Sequence, residues 1–305
     1  MSHPIPKTIR EYLDQLRIEL RGADAAMIQD ALYDAEEHLR AELADHPELD
    51  EAAMLAKVAT SYGAPDEVAE IYRVQEGEVE RALRPPRRVP VAEKSVWARF
   101  FGVAVDPRAY AALFYMLLSL ATGIFYFTWV VTGLSLSAGL AILIIGIPFI
   151  VLFFATVRAL SFVEGKIIEG MLGVRMPRRP FFVDKDLTVW QRIGAMFTDP
   201  RTWSTLFYMV IMLPLGVLYF TLATTGLALS VGFMVAPFLH VFGVDSGQVM
   251  INGEQVRYSM LPLLFLLGAL LFFVLLHIAR AIGRLHGALA KNLLVRAVEG
   301  DDAGR

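Results

Sequence analysis

Trp97 to Gly139 reads WARFFGVAVDPRAYAALFYMLLSLATGIFYFTWVVTGLSLSAG, and Trp190 to Gly232 reads WQRIGAMFTDPRTWSTLFYMVIMLPLGVLYFTLATTGLALSVG. The two stretches align without a gap at a constant offset of 93 residues. Asp106-Pro107-Arg108 meets Asp199-Pro200-Arg201, and Leu113-Phe114-Tyr115-Met116 meets Leu206-Phe207-Tyr208-Met209. Tyr126-Phe127-Thr128 meets Tyr219-Phe220-Thr221, and Thr132-Gly133-Leu134 meets Thr225-Gly226-Leu227. Nearly half the aligned positions are identical, more than shared hydrophobicity produces, so the stretch reads as an internal duplication. Each copy has a polar start, a long apolar run and a Gly-Leu turn, which is half of a membrane domain.

The apolar runs predict four spans. Ala109–Val131 carries no charge and exceeds the ~20 residues a helix needs to cross. Thr132 to Ser135 is expected to turn it, and Leu136–Val157 to return. Arg158, Glu164, Lys166 and Glu169 then mark re-emergence into water. Thr202–Thr224 is the third span and Leu261–Ala279 the last. Between them, Ala228–Phe242 is short and interrupted by Pro237, so residues 228–242 are expected to be re-entrant or interfacial rather than spanning. In the loop 243–258, Asn252-Gly253 between Val249-Met250-Ile251 and Gln255-Val256 signals a short outer β-hairpin. The spans, so bounded, hold no Asp, Glu, Lys or Arg in their interiors, which argues against an ion-coupled transporter.

Composition agrees with a membrane protein. The 305 residues are 56% hydrophobic with a mean hydropathy of +0.51. The net charge of −3 conceals an asymmetry: residues 1–84 hold 9 Lys+Arg against 19 Asp+Glu, a net of −10, and the remainder is +7. An acidic head therefore precedes a basic-rimmed body. With no cysteine, thiol chemistry and disulfides are excluded. The start, Met-Ser-His-Pro-Ile-Pro, lacks the pattern of a cleavable signal peptide. Basic residues gather before the first span, between the second and third, and after the last, whereas 132–135 has none and 225–258 only Arg257. Both termini are thus expected in the cytoplasm.

The expected domains are a head at 1–80, a basic Pro-rich linker at 81–96, membrane repeats at 97–189 and 190–296, and a tail at 297–305. In the head, Ile9, Leu13, Leu16 and Leu20 form one helical stripe. Met27, Ile28, Leu32, Ala35 and Leu39 form a second, opened by Asp24 as N-cap. Ala53, Leu55, Ala56 and Val58 belong to a third. A fourth helix opens at Pro65, with Val68, Ile71 and Tyr72 turned inward. The fold class is therefore all-α: a small helical domain plus a polytopic membrane domain of two duplicated hairpins.

Glu11 to Leu16, Asp34 to Leu39 and Tyr62-Gly63-Ala64-Pro65-Asp66-Glu67-Val68-Ala69 make the head similar to the HAAS signalling domain. That resemblance implies a cytoplasmic regulatory module and a PadR-type transcription regulator as partner. Tyr110 to Leu118, Gly139 to Pro148, and Arg280-Ala281-Ile282-Gly283-Arg284-Leu285-His286 through Leu294 make the body resemble the putative sensor domain of actinobacterial-type histidine kinases. This resemblance implies a four-span sensor of the bacterial cytoplasmic membrane. Because the sequence ends at Arg305 without a kinase or a phosphate-cradling loop, output is expected through the head.

Few residues suggest a site. His240, Asp245, Glu254 and Arg257 form the one charged group expected outside, a candidate sensing cluster. Asp106, Pro107, Arg108 and Asp199, Pro200, Arg201 are expected to cap each span where it enters the bilayer, with Arg snorkelling to headgroups. His38 beside Glu36 and Glu37 reads as a solvated helix face, and His277 as a packing residue. No metal-spaced cluster or nucleophile motif is present. The expected function is non-enzymatic sensing without a cofactor; a transporter or permease accessory subunit is the alternative. The expected partners are the lipid bilayer and the regulator, without direct nucleic-acid contact; the basic linker is read as lipid-facing. Dimerisation stays open.

Overall fold

The computed structural model describes residues 6–83, 95–142, 146–178, 194, 198–241, 250–251, 254–255 and 260–295. The head has four helices, α1 (Ile9–Glu19), α2 (Ala25–Asp45), α3 (Glu51–Ser61) and α4 (Pro65–Leu83). Thr8, Asp24 and Asp50 cap the first three, each accepting from a first-turn amide of its helix. Gly63, at φ +112°, turns the chain into Pro65, and the Tyr12 hydroxyl donates to its carbonyl at 2.9 Å. Tyr12, Leu16, Leu20, Met27, Leu39, Met54 and Val68 fill the core. Ile71 is instead 51% exposed. Pro65, Val68, Ala69 and Tyr72 share one face at helical spacing, and Ile71 falls off it. Glu36 is buried and accepts from Arg40 at 2.6 Å, so it does not belong to a solvated face; His38 stacks on Tyr62.

The body begins with α5 (Val96–Phe101) and a 3₁₀ turn (Gly102–Val105). Among the described residues, four helices follow that are long and apolar enough to cross a membrane: α6 (Pro107–Leu140), α7 (Gly146–Leu172), α8 (Pro200–Val241) and α9 (Leu261–Leu294). Asp106 caps α6 with Pro107 in its first turn. Phe100 stacks on His277, whose ring Nε2 meets the Phe100 carbonyl at 3.1 Å, and Trp97 is left exposed. Met250–Ile251 and Glu254–Gln255 pair antiparallel, Met250 opposite Gln255 and Ile251 opposite Glu254.

Three expectations about the spans are corrected. Thr132 to Ser135 does not turn: α6 continues to Leu140. Likewise Thr225-Gly226-Leu227 and residues 228–241, Pro237 included, are one helix with the third span, not a separate re-entrant or interfacial segment. Breaking a helix in hydrocarbon strands backbone groups that no water can satisfy. Here the glycines serve close packing, since a methyl group at Gly133 would collide with the Phe153 ring and one at Gly226 would lie 2.7 Å from Leu275 Cδ1. Third, α7 spans Gly146–Leu172 rather than 136–157, so Arg158 and Glu164 lie inside a membrane-length helix.

α6 runs antiparallel to α7: Arg108 lies against Gly173, Trp129 donates to Thr156 at 3.1 Å, and Gly133 faces Phe153. α8 runs antiparallel to α9 in the same way, with Ser204 donating to the Leu293 carbonyl at 2.8 Å and Gly226 facing Leu275. Between the pairs, Gly123 closes on the Met212 carbonyl and Gly216 on the Ser119 carbonyl. Asp106 pairs with Arg280 at 3.1 Å and Asp199 with Arg158 at 3.8 Å.

Candidate functional site

Six polar side chains meet inside the helix bundle, toward the end where α6 and α8 begin. Tyr115 and Tyr126 stand three helical turns apart, so both face the same way from α6. Tyr208 and Tyr219 do the same from α8. α7 contributes Glu164, 0% exposed, and α9 contributes His286, 1% exposed. Glu164 Oε1 accepts from the Tyr115 hydroxyl at 2.7 Å and from Tyr208 at 3.0 Å; its Oε2 accepts from Tyr126 at 2.9 Å. His286 Nε2 lies 2.6 Å from the Tyr115 hydroxyl and 3.0 Å from that of Tyr208, and Nδ1 lies 3.4 Å from that of Tyr219. The rings of Tyr115, Tyr208 and Tyr219 surround the imidazole at centroid distances of 5.0, 5.9 and 5.6 Å.

The chemistry follows from the proton count. A hydroxyl has one proton to give. With those of Tyr115, Tyr126 and Tyr208 on Glu164, the carboxylate is held by three donors in a low-dielectric interior, which is what a buried charge requires. The hydroxyls of Tyr115 and Tyr208 can then only accept from His286, so Nε2 carries a proton. Tyr115 and Tyr208 thereby bridge a carboxylate on α7 to an imidazole on α9. Glu164 thus overturns the expectation of spans free of ionisable groups.

A second polar layer ties the head to this end of the body. Past α7, Gly173 at φ +70° starts a connector. There Val174 packs on Gly287 and Met176 on Gly165, the residues that follow His286 and Glu164. Arg175, between them, points the other way. It donates to Asp30 Oδ2 of α2 at 2.8 Å and to Glu76 Oε1 of α4 at 3.2 Å, and it also bonds the Met176 carbonyl. Burial opposes the charge of this guanidinium, but the bonds and charges of Asp30 and Glu76 outweigh it and hold Arg175 above its ordinary range. The Arg178 amide donates to Asp30 Oδ1 at 2.8 Å and its guanidinium to Glu169 at 2.9 Å. Lys291 of α9 pairs with Asp24, and Arg201 of α8 bonds Gln29 at 3.1 Å.

The residues singled out from sequence lie elsewhere than this cluster, some of them outside the described residues. Asp245 and Arg257, and the side chains of His240 and Glu254, lie outside the described residues, so the outer cluster is not brought together here. Asp106 and Asp199 each accept from the amide two residues on, at 3.1 Å. Arg108 lies against Gly173, and Arg201 bonds Gln29 and the Leu294 carbonyl. Among the described residues, no three His, Asp or Glu side chains gather as a metal ion would need. The six central residues were missed, although Tyr115, Tyr126 and their counterparts are identical in the two copies. Glu164-Gly165 and His286-Gly287 carry a second signal, a carboxylate and an imidazole each followed by a packing glycine.

No curated protein and no solved structure matches the chain. One family does: that described as "Putative sensor" matches residues 115–294, which takes in all six residues of the cluster. Covering more than half of the sequence and reaching all four membrane-length helices, that match makes the chain a member of the "Putative sensor" family.

Proposed function

We propose that the chain is a non-enzymatic sensor of a bacterial cytoplasmic membrane. It has both termini cytoplasmic and couples a membrane or envelope signal to a cytoplasmic regulator through residues 1–80. The observation that carries this reading is Arg175, which sits on the connector leaving α7 and holds Asp30 and Glu76 of the head. Displacement of the helix ends is therefore felt by the head. The HAAS-like motifs supply the output side, and a PadR-type regulator is the partner they imply. The basic residues at the head's end of the body supply the orientation. The body reads as two duplicated hairpins, supported by the reciprocal approaches of Gly123 to Met212 and Gly216 to Ser119. An outer hairpin at 250–255 would present His240, Asp245, Glu254 and Arg257 to soluble signals.

The test compares transcription in cells lacking the chain with cells expressing the whole chain or its Arg175→Ala variant. Transcripts that change on deletion should return with the whole chain and not with Arg175→Ala. Unchanged transcription on deletion overturns the reading. One observation favours the alternative, a transporter or permease accessory subunit: a buried carboxylate inside a span is a common mark of an ion pathway. Solute-dependent flux in proteoliposomes would decide for it.

A further inference from the structure

We propose that Glu164 and His286 together form a proton-binding site, and that its occupancy sets how the head is held. This rests on the reading of the chain as a sensor and names its stimulus: the proton activity reaching the inner end of the bundle.

The geometry leaves the site one charge from neutrality. Glu164 is met from α6 by Tyr115 and Tyr126, from α8 by Tyr208, and across those hydroxyls from α9 by His286. His286 is met from α6 by Tyr115 and from α8 by Tyr208 and Tyr219. Among the described residues, no cation pairs with Glu164. Arg158, on the same helix, pairs with Asp199, and Arg175 and Arg178, beyond the helix end, are engaged by Asp30, Glu76 and Glu169. With Glu164 ionised and His286 neutral the cluster carries −1, which is costly in the bundle interior. One proton taken up from water at Nδ1 makes the imidazolium and brings the total to zero. Only one hydrogen bond reverses, since Nδ1–H now donates to the Tyr219 oxygen in place of accepting from it. The same proton can be lodged on Glu164 instead. The Nε2 proton then passes to the Tyr115 oxygen as Tyr115 gives its own to Glu164, so that the carboxyl donates to Tyr115 and Tyr115 to the bare Nε2, while Nδ1 keeps its proton. Bond for bond the count is unchanged. A proton is the ligand this site accommodates without opening, because every partner is already within hydrogen-bond reach.

The readout is the connector. Val174 and Met176 press on Gly287 and Gly165, one residue past His286 and Glu164, while Arg175 grips the head. Charging or discharging the pair changes the attraction between α7 and α9 where the connector crosses both, and Arg175 carries that displacement to Asp30 and Glu76.

The test uses the full chain in lipid nanodiscs. The natural sequence has no cysteine, so Ala56→Cys on α3 and Asn292→Cys at the end of α9 take a unique pair of spin labels. Head-to-body distances and the nitrogen resonances of His286, assigned by their loss in His286→Gln, are followed between about pH 5 and 8. The expected result is one titration of His286 and one shift of the distance distribution, with a common midpoint. Glu164→Gln, isosteric but uncharged, should lower that midpoint by more than tenfold in proton activity. His286→Gln should abolish the shift. Arg175→Ala should leave the titration and lose the shift. Should His286→Gln not fold, Tyr219→Phe, which removes only the Nδ1 partner, should still displace the midpoint. A His286 whose two ring nitrogens keep the same protons over the range, or a shift that persists without Glu164 and His286, overturns the proposal. Head movement with pH in a chain whose deletion leaves transcription unchanged sinks the sensor reading alone. Transcriptional control with a head insensitive to pH sinks the proton site alone.

Discussion

Glu164 is stabilised by three hydroxyls, and their contributions need not be equal. Tyr115 and Tyr208 share Oε1, whereas Tyr126 is the only hydrogen-bond donor on Oε2 among the described residues. Tyr126→Phe removes that donor and leaves a buried carboxylate oxygen bare, at a cost of about 1.5–3 kcal/mol, the range for hydrogen bonds to charged groups. Tyr219→Phe removes a 3.4 Å contact to a neutral ring and should cost under about 0.5 kcal/mol. Unfolding titrations of the detergent-solubilised chain would separate the two. Equal losses would mean that Glu164 does not depend on its Oε2 donor. The tyrosines were visible in sequence as identities between copies, and their three-turn spacing was visible too. Their convergence was not, because Glu164 and His286 reach them from helices whose ends were misplaced. With the second span drawn to stop at Val157, Glu164 read as a solvated residue.

Glycine decides the elements of the body, in a way that hydrophobic periodicity does not reveal. Four membrane-length helices were legible from apolar runs. The two Thr-Gly-Leu segments were misread because Gly can serve a turn or a close approach equally well. In water the turn reading is often right; in lipid the unpaired backbone it creates is prohibitive. Two substitutions test the packing role. A methyl at Gly123 would lie 2.5 Å from the Met212 carbonyl oxygen, which belongs to backbone and cannot swing aside. Gly123→Ala should therefore cost about 1–3 kcal/mol by forcing α6 and α8 apart. Gly232, in the interior of α8, has nothing within 4 Å of its added methyl. Gly232→Ala should stabilise α8 by up to about 1 kcal/mol through helix propensity alone. Opposite signs in the same unfolding assay are the expected outcome; a neutral Gly123→Ala would show that the helices do not approach so closely.

On the scale of the whole molecule, the charge asymmetry of the chain becomes a docking surface. That an acidic head precedes a basic-rimmed body was readable from residue counts. That the two meet was not, since Arg175, Arg201 and Lys291 read equally well as markers of membrane orientation or as lipid contacts. The contacts differ in burial, and salt should tell them apart. Asp24 caps α2 through Oδ1 and holds Lys291 through Oδ2, with both side chains partly exposed. Asp24→Asn keeps a capping oxygen and loses the ion pair, so α2 should persist while docking weakens by up to about 1 kcal/mol. At 1 M salt, where the screening length is about 3 Å, that difference should vanish. Asp30 and Arg175 are each 9% exposed at the side chain. Asp30→Asn leaves Arg175 with Glu76 as its one carboxylate partner among the described residues, and should cost about 3 kcal/mol, at the low end for a broken buried pair. Such a loss is screened far less, because the pair is largely shielded from water and ions. Amide exchange of α2 at low and high salt reads both effects: protection lost in Asp24→Asn should match the parent at high salt, whereas protection lost in Asp30→Asn should stay lost. If the two variants respond to salt alike, the head is held by diffuse attraction to the basic rim, and Arg175 has no special part in holding it.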